Sequence, residues 1–254
     1  MSNQYGNAQI VKSELKLCID ANDSQSYSGS GSTFYDVSGN GNNTTLNGPT
    51  YNSNGYFSFD GSGERDGSPT GDYISGFGGG GGTCSTDQYA IGASYCWWSR
   101  ITSAQTNGQC ILYGSSTIAH VEFKNEGTSS PYFRTEAARD NGYSFSGNTT
   151  IPGGSLVNRW AHFVIAFDNS SSPRTVKWYH NGDLFYTKTN FDSGDFTTTE
   201  YFYLNHIGRS TGTSEYLYSQ SFYGDLGSFQ FYGRNLSATE VKQNFIEQRS
   251  RFGL

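Results

Sequence analysis

Phe222-Tyr-Gly-Asp-Leu-Gly-Ser-Phe-Gln-Phe-Tyr232, followed by Arg234-Asn-Leu-Ser-Ala-Thr-Glu-Val241, is the stretch on which the fold turns. Its first part suits a strand, because Leu226, Phe229, Phe231 and their neighbours belong to the bulky classes that pack well on a pleated, half-buried surface. Its second part opens a helix. Ser237 stands three residues before Glu240, the spacing of a capping box in which each side chain satisfies a backbone donor of the other residue. A helix is therefore predicted to begin near Ala238 and to end the chain.

Working outward, Leu15-Lys-Leu-Cys-Ile-Asp-Ala21 reads as a first strand. It precedes Tyr35-Asp-Val-Ser-Gly-Asn-Gly-Asn-Asn-Thr-Thr-Leu46 and Phe57-Ser-Phe-Asp-Gly61. Trp160-Ala-His-Phe-Val-Ile-Ala-Phe-Asp168 and Val176-Lys-Trp-Tyr-His-Asn-Gly-Asp-Leu184 form a central pair, and His206-Ile-Gly-Arg209 follows them. Taken in this order, with the closing strand and capped helix, the segments resemble the laminin-G-like (pentraxin-like) domains of the concanavalin A-like lectin/glucanase superfamily. The resemblance implies an all-β fold, a two-sheet antiparallel jelly-roll sandwich with a short C-terminal helix. The Ser-Gly-Asn-Gly-Asn loop and the Arg-Phe-Gly-Leu tail look most like proteins on the surface of marine bacteriophage particles.

Composition is compatible with that fold. Among 254 residues, aromatics make up 16% and methionine occurs once, so rigid rings rather than flexible fillers are expected to build the core. The 33 glycines then serve turns, and the Gly/Ser-rich stretches at 24–32, 61–71 and 78–82 read as loops between strands of one sandwich. Residues 1–12 read as a polar N-terminal arm, either a frayed terminus or an anchor against a neighbouring subunit, and 13–254 as a single domain. A formal net charge of −6 with 15% charged residues provides no electrostatic footprint for nucleic acid. The first residues lack the basic flank and apolar run of a secretory signal, and no apolar run reaches bilayer-spanning length, so neither export nor membrane insertion is expected. Cys18, Cys84, Cys96 and Cys110 are too sparse for a disulfide framework and are expected as thiols, with a Cys96–Cys110 bridge left open.

Local pattern makes sharper predictions. Asn181-Gly182 suits a two-residue type I′ hairpin turn, which needs positive φ at both positions. Its strands would run over 174–180 and 183–188, with Val176, Trp178 and His180 on one face and Lys177 and Tyr179 on the other. Cys96, Trp98 and Arg100 likewise share a face opposite Trp97 and Ser99, so one of the adjacent tryptophans should be buried and the other should point away.

Candidate sites are fewer. Asp36, Ser38 and Asn40 alternate before Gly41, as oxygen ligands do in a looped calcium site, yet Asn47 stands where a bidentate carboxylate is expected. Either calcium binds weakly there or Asx-type turns occupy the loop. Relatives bind calcium through an acidic residue of the last strand, and Gly227 takes that place here. No other cofactor is expected. A retaining glycosidase would need two carboxyl groups about 5 to 5.5 Å apart on one side of a sheet. Asp60, Glu64, Asp66 and Asp72 fall instead on a loop, and Glu122 and Glu126 share a face only if the strand continues through Asn125. The four histidines, His120, His162, His180 and His206, stand singly. For carbohydrate, the apolar faces of sugar rings stack on exposed aromatics beside polar groups, a description met by Phe34, Tyr35, Phe77, Tyr216 and Tyr218.

The resulting expectation is a non-enzymatic bacteriophage virion structural protein, associated with the capsid surface, a tail or a fibre, whose lectin-like fold contacts host-surface glycans. The alternative is a carbohydrate-active enzyme (glycoside hydrolase or polysaccharide lyase) or a secreted bacterial carbohydrate-binding module. Expected partners are other virion proteins, host glycans and further copies of the chain in a homo-oligomer. The expected location is the virion surface after assembly in the host cytoplasm, and otherwise extracellular. Unused sequons at Asn148, Asn169 and Asn235 fit cytoplasmic assembly.

Overall fold

A computed structural model describes residues 9–61, 71–77, 92–105, 108–114, 119–137, 147–168, 170, 175–189, 206–208 and 220–254. In chain order the strands are β1 (Leu15–Asp20), β2 (Thr33–Phe34), β3 (Thr44–Asn47), β4 (Thr50–Asn52), β5 (Tyr56–Asp60) and β6 (Tyr73–Ser75). They continue as β7 (Gly92–Ile101), β8 (Gln109–Gly114), β9 (Ala119–Lys124), β10 (Tyr132–Ala137), β11 (Gly147–Thr150) and β12 (Trp160–Asp168). The last are β13 (Thr175–His180), β14 (Asp183–Thr189), β15 (His206–Ile207), β16 (Gln220–Ser221) and β17 (Tyr223–Tyr232), before helix α1 (Ala238–Arg249).

These strands form two sheets. The first runs β14-β13-β12-β7-β17-β5-β4, with β1 also paired to β17; the second runs β11-β10-β9-β8-β15-β6-β3-β2, with β16 on β8. All named pairings are antiparallel except the short β16 contact. The architecture is the expected all-β sandwich with one C-terminal helix.

Alternation explains the packing. Along β7, Tyr95 and Trp97 enter the core between the sheets, where Phe57, Phe123, Phe133, Phe163, Phe229 and Phe231 meet them. The rings lie edge-on or tilted, as at Trp97 and Phe133 (6.0 Å, 71°) and Phe133 and Phe163 (5.0 Å, 83°), the arrangements that the ring quadrupole favours. The hairpin turn has the predicted chemistry, with φ of 51° at Asn181 and 81° at Gly182. Its faces also divide as predicted: Val176 and Trp178 join the core, His180 stacks on Phe163, and Tyr179 lies with the apolar groups on the other side of the sheet.

The capping box at Ser237 and Glu240 is present in both directions. Arg234 donates to both Glu240 oxygens at 2.9 and 2.6 Å and holds that carboxyl down at about 2. Helix α1 then turns back across the outer face of the first sheet and changes one expectation. Trp98 does point away from the inter-sheet core, but it is as fully buried as Trp97. The rings of Phe245 and Phe252 stack on it at 5.7 and 4.2 Å, and its indole N–H donates to Gln248 at 2.8 Å.

Residues 9–12, read from sequence as part of a polar arm, are docked against the same helix. The Val11 N–H donates to Asn244 Oδ1, and the Tyr232 hydroxyl donates to the Val11 carbonyl while accepting from Asn244. Cys96 and Cys110 lie on the outward sides of different sheets, which rules out a bridge between them; they and Cys18 are buried free thiols. Cys84 lies outside the described residues.

Candidate functional site

The outer face of the first sheet carries a row that sequence separation hides. Register places Ser58 of β5 beside Asp225 of β17, Asp225 beside Arg100 of β7, and Arg100 beside Trp160 of β12. Four strands thus bring four side chains into line on one face. Asp225 is almost fully buried and would be costly to leave uncompensated. Ser58 donates to its Oδ1 at 2.6 Å, and Arg100 reaches Oδ2 through Nε at 2.8 Å and Nη2 at 2.6 Å.

Two rings hold the guanidinium in place. The Arg100 Cζ lies 5.4 Å from the Tyr56 ring centroid and 5.2 Å from that of Trp160, and the rings themselves are 5.6 Å apart. Planar guanidinium groups favour such stacking. Tyr56, Arg100 and Trp160 are each half-buried, so part of every group meets solvent. The result is a rigid, amphipathic surface: two half-buried rings in contact with each other and a fixed cation packed against both.

Two residues along each strand, the same face is closed. Trp98 and His162 are fully buried, with their rings 5.1 Å apart, and Phe245 of α1 stacks over both. Among the described residues neither ring nitrogen of His162 has a hydrogen-bond partner. Burial, followed by the nearby His180, lowers its pKa to about 3, so the ring is neutral. The boundary between closed and open surface is Phe252, which stacks on Trp98 and also meets Trp160 at 4.7 Å. A Cβ on Gly227 would lie 2.6 Å from the Phe252 ring, so this position, where the resemblance implies an acidic residue, is a seat for the C-terminal segment.

The second sheet presents a different outer face. Glu122 of β9 is buried with Lys124 at 3.0 Å and Arg134 of β10 at 3.9 Å. Tyr73 and His206 meet at 5.3 Å further along that face. Asn125 has φ of 55° and ends β9, so Glu122 and Glu126 do not share a strand face. Glu126 is buried in the following turn, where desolvation pushes its carboxyl up to about 7. Asp60 and Asp72 meet through the Asp60 N–H, which donates to Asp72 Oδ2 at 2.9 Å; burial first, then the neighbouring carboxylate, raises Asp72. Glu64 and Asp66 lie outside the described residues.

Two of the sequence-derived sugar candidates need correction. Phe34 and Phe77 are core residues, packed on Phe57 at 5.1 Å and on Phe229 at 5.8 Å, so neither offers a face to a ligand. Their polar sequence neighbours belong to short strands and turns whose alternate residue points inward. Tyr35 is 48% exposed, and Tyr216 and Tyr218 lie outside the described residues. Asp36, Ser38 and Asn40 do come together, but as a clasp on β1. Asp36 accepts from the N–H groups of Cys18, Ser38 and Asn42 and from the Ser38 hydroxyl, while Asn40 donates to the Leu15 carbonyl. The oxygens that a calcium ion would take are engaged by backbone donors. Sequence reasoning missed Tyr56, Trp160 and Asp225. The alternation that set Arg100 beside Trp98 was the available signal; the partner strands were not.

A family model described as the concanavalin A-like lectin/glucanases superfamily, of laminin G type, matches residues 78–242. The chain belongs to this superfamily. Similar solved structures include the botulinum neurotoxin type G receptor-binding domain (TM-score 0.55, 17% identity, 93% of this chain and 52% of that one). They also include a Trypanosoma rangeli sialidase in complex with sialic acid (TM-score 0.62, 15% identity, 94% and 33%). A third is domain 4 of AbnA, an extracellular arabinanase from Geobacillus stearothermophilus, in complex with arabinotriose (TM-score 0.60, 16% identity, 91% and 98%). The chain spans about half the length of the toxin receptor-binding chain and a third of the sialidase chain. At these identities the likeness is one of fold. Comparison with curated protein sequences finds no match.

Proposed function

We propose that the chain is a non-enzymatic recognition module of a bacteriophage particle, using the Tyr56, Arg100 and Trp160 surface to hold host-surface glycans. The observation that carries this reading is a pair of half-buried rings packed with an ion-paired arginine on a superfamily scaffold. Sugar binding needs apolar faces for the C–H side of the ring and fixed polar groups for its hydroxyls, and few of these need to move when a ligand arrives. Receptor-binding domains of toxins and a sugar-bound arabinanase domain share the fold, which agrees with a recognition role. The buried free thiols suit assembly in a reducing cytoplasm. Other virion proteins and further copies of the chain complete the expected assembly.

A glycan array probed with the purified chain tests the reading. Saturable binding that is lost in Trp160→Ala, without release of reducing ends from the bound polysaccharide, supports it. Reducing-end release would make the chain an enzyme, and an empty array would leave no basis for glycan recognition. Immunogold labelling of purified phage particles with an antibody to the chain should decorate their surface; unlabelled particles would remove the virion assignment.

A further inference from the structure

We infer that the surface around Arg100 selects a carboxylate-bearing saccharide, such as a uronate or a sialate, and that Arg100 is the specificity-determining residue. The inference rests on the glycan-recognition reading above and goes beyond it by naming the chemical class of the ligand. Asp225 takes the Nε and Nη2 side of the guanidinium through a single oxygen, Oδ2. Its other oxygen is occupied by Ser58, which fixes the carboxylate and prevents it from reaching round to the end of the arginine. Among the described residues the Nη1 nitrogen has no partner, and with the second N–H of Nη2 it forms the planar fork that matches two carboxylate oxygens.

Other arginines of the chain show what a purely structural one looks like. Arg234 spends Nη1 and Nη2 on Glu240. Arg251 gives Nη1 to Asp20 and Nη2 to the Gly55 and Gly227 carbonyls. Arg100 instead keeps its terminal edge open, with its side chain 28% exposed. The flanking rings add to the selection. A uronate pyranose lying on Trp160 presents its equatorial carboxylate near the plane of its ring, toward the guanidinium beside it, whereas an α-linked sialate presents an axial one and would meet the same guanidinium from a tilted ring.

Matched ligand pairs in calorimetric titrations with the full chain test this. The arms are oligogalacturonate against its methyl ester, and sialyllactose against lactose, so that the source of the carboxylate is also resolved. At least one acidic ligand should bind on the order of tenfold more tightly than its neutral partner, the difference being lost in Arg100→Lys, which keeps the charge beside Asp225 but not the fork. That preference should also weaken as salt is raised. If Arg100→Lys fails to fold, the neutral pair Arg100→Gln with Asp225→Asn carries the same test. Equal binding of acidic and neutral partners, with both lost in Trp160→Ala, would overturn the inference and leave glycan recognition standing. No binding by any of the four probes or by an array would overturn both.

Discussion

Trp98 and Arg100 are neighbours on one face of one strand, yet the first is sealed under Phe245 and Phe252 and the second opens to solvent between Tyr56 and Trp160. The strand does not distinguish them. The difference is made by the C-terminal segment, which crosses the sheet, covers one row and stops at Phe252. On this fold, therefore, the reach of the final helix decides which aromatic residues are core and which are available for recognition. Gly182 serves the same division from below, since a Cβ there would crowd Lys242 and Phe245 of α1 at about 3 Å.

The largest effect should come from removing the cover. Phe252→Ala takes away the ring stacked on Trp98 and should cost about 3 to 5 kcal/mol of unfolding free energy in denaturant titrations, by loss of buried area and creation of a cavity. A cost below about 1 kcal/mol would mean that the tail is a loose flap and that the two rows do not differ as described. Next, Arg100→Gln should cost about 2 to 3 kcal/mol, because it strands a buried Asp225; the figure is below the fully buried case since Arg100 is partly solvated. Adding Asp225→Asn should restore most of the loss, a coupling measurable by a double-mutant cycle.

Acid should act on two buried histidines, His162 of the sealed row and His180 on the inner face of the same sheet. Burial lowers His162 to about 3 and His180 to about 4, against an ordinary value of 6.5. The unfolded chain binds protons first, so this contribution is complete above about pH 6.5 and declines as pH falls toward 3, by about 1 kcal/mol per pH unit for each site. His162→Phe should flatten that acid limb. Glu126 works in the opposite direction: its raised carboxyl, at about 7, favours the folded state at low pH and is lost as pH rises through neutrality. Glu126→Gln should leave stability less sensitive to pH between about 4.5 and 7. The smallest stability effect belongs to the open row, where Trp160→Ala, losing half-buried ring contacts, should cost about 1 to 2 kcal/mol of unfolding free energy while removing the proposed glycan binding.

Local signals explain why much of the fold was readable. The Asn181-Gly182 turn, the Ser237 and Glu240 box and the alternation of Val176, Trp178 and His180 depend on residues within a few positions of one another, and all three appear as predicted. The site depends on register between strands far apart in the chain. Ser58 and Asp225 are 167 positions apart, and Arg100 and Asp225 are 125 apart. No spacing rule links such residues until the order β5-β17-β7-β12 is known. Phe34 and Phe77 failed as candidates for a related reason: a phenylalanine beside polar residues reads the same whether its strand turns that ring outward or inward.

The four tryptophans provide the most direct test of the division itself. Trp97, Trp98 and Trp178 are fully buried, and Trp160 is half-buried beside Arg100. With fluorotryptophan incorporated and the four ¹⁹F resonances assigned by substitution, titration with a bound saccharide should shift the Trp160 signal strongly and leave the other three nearly unchanged. A saturable ligand that moved the buried signals, or that bound without moving Trp160, would contradict the account.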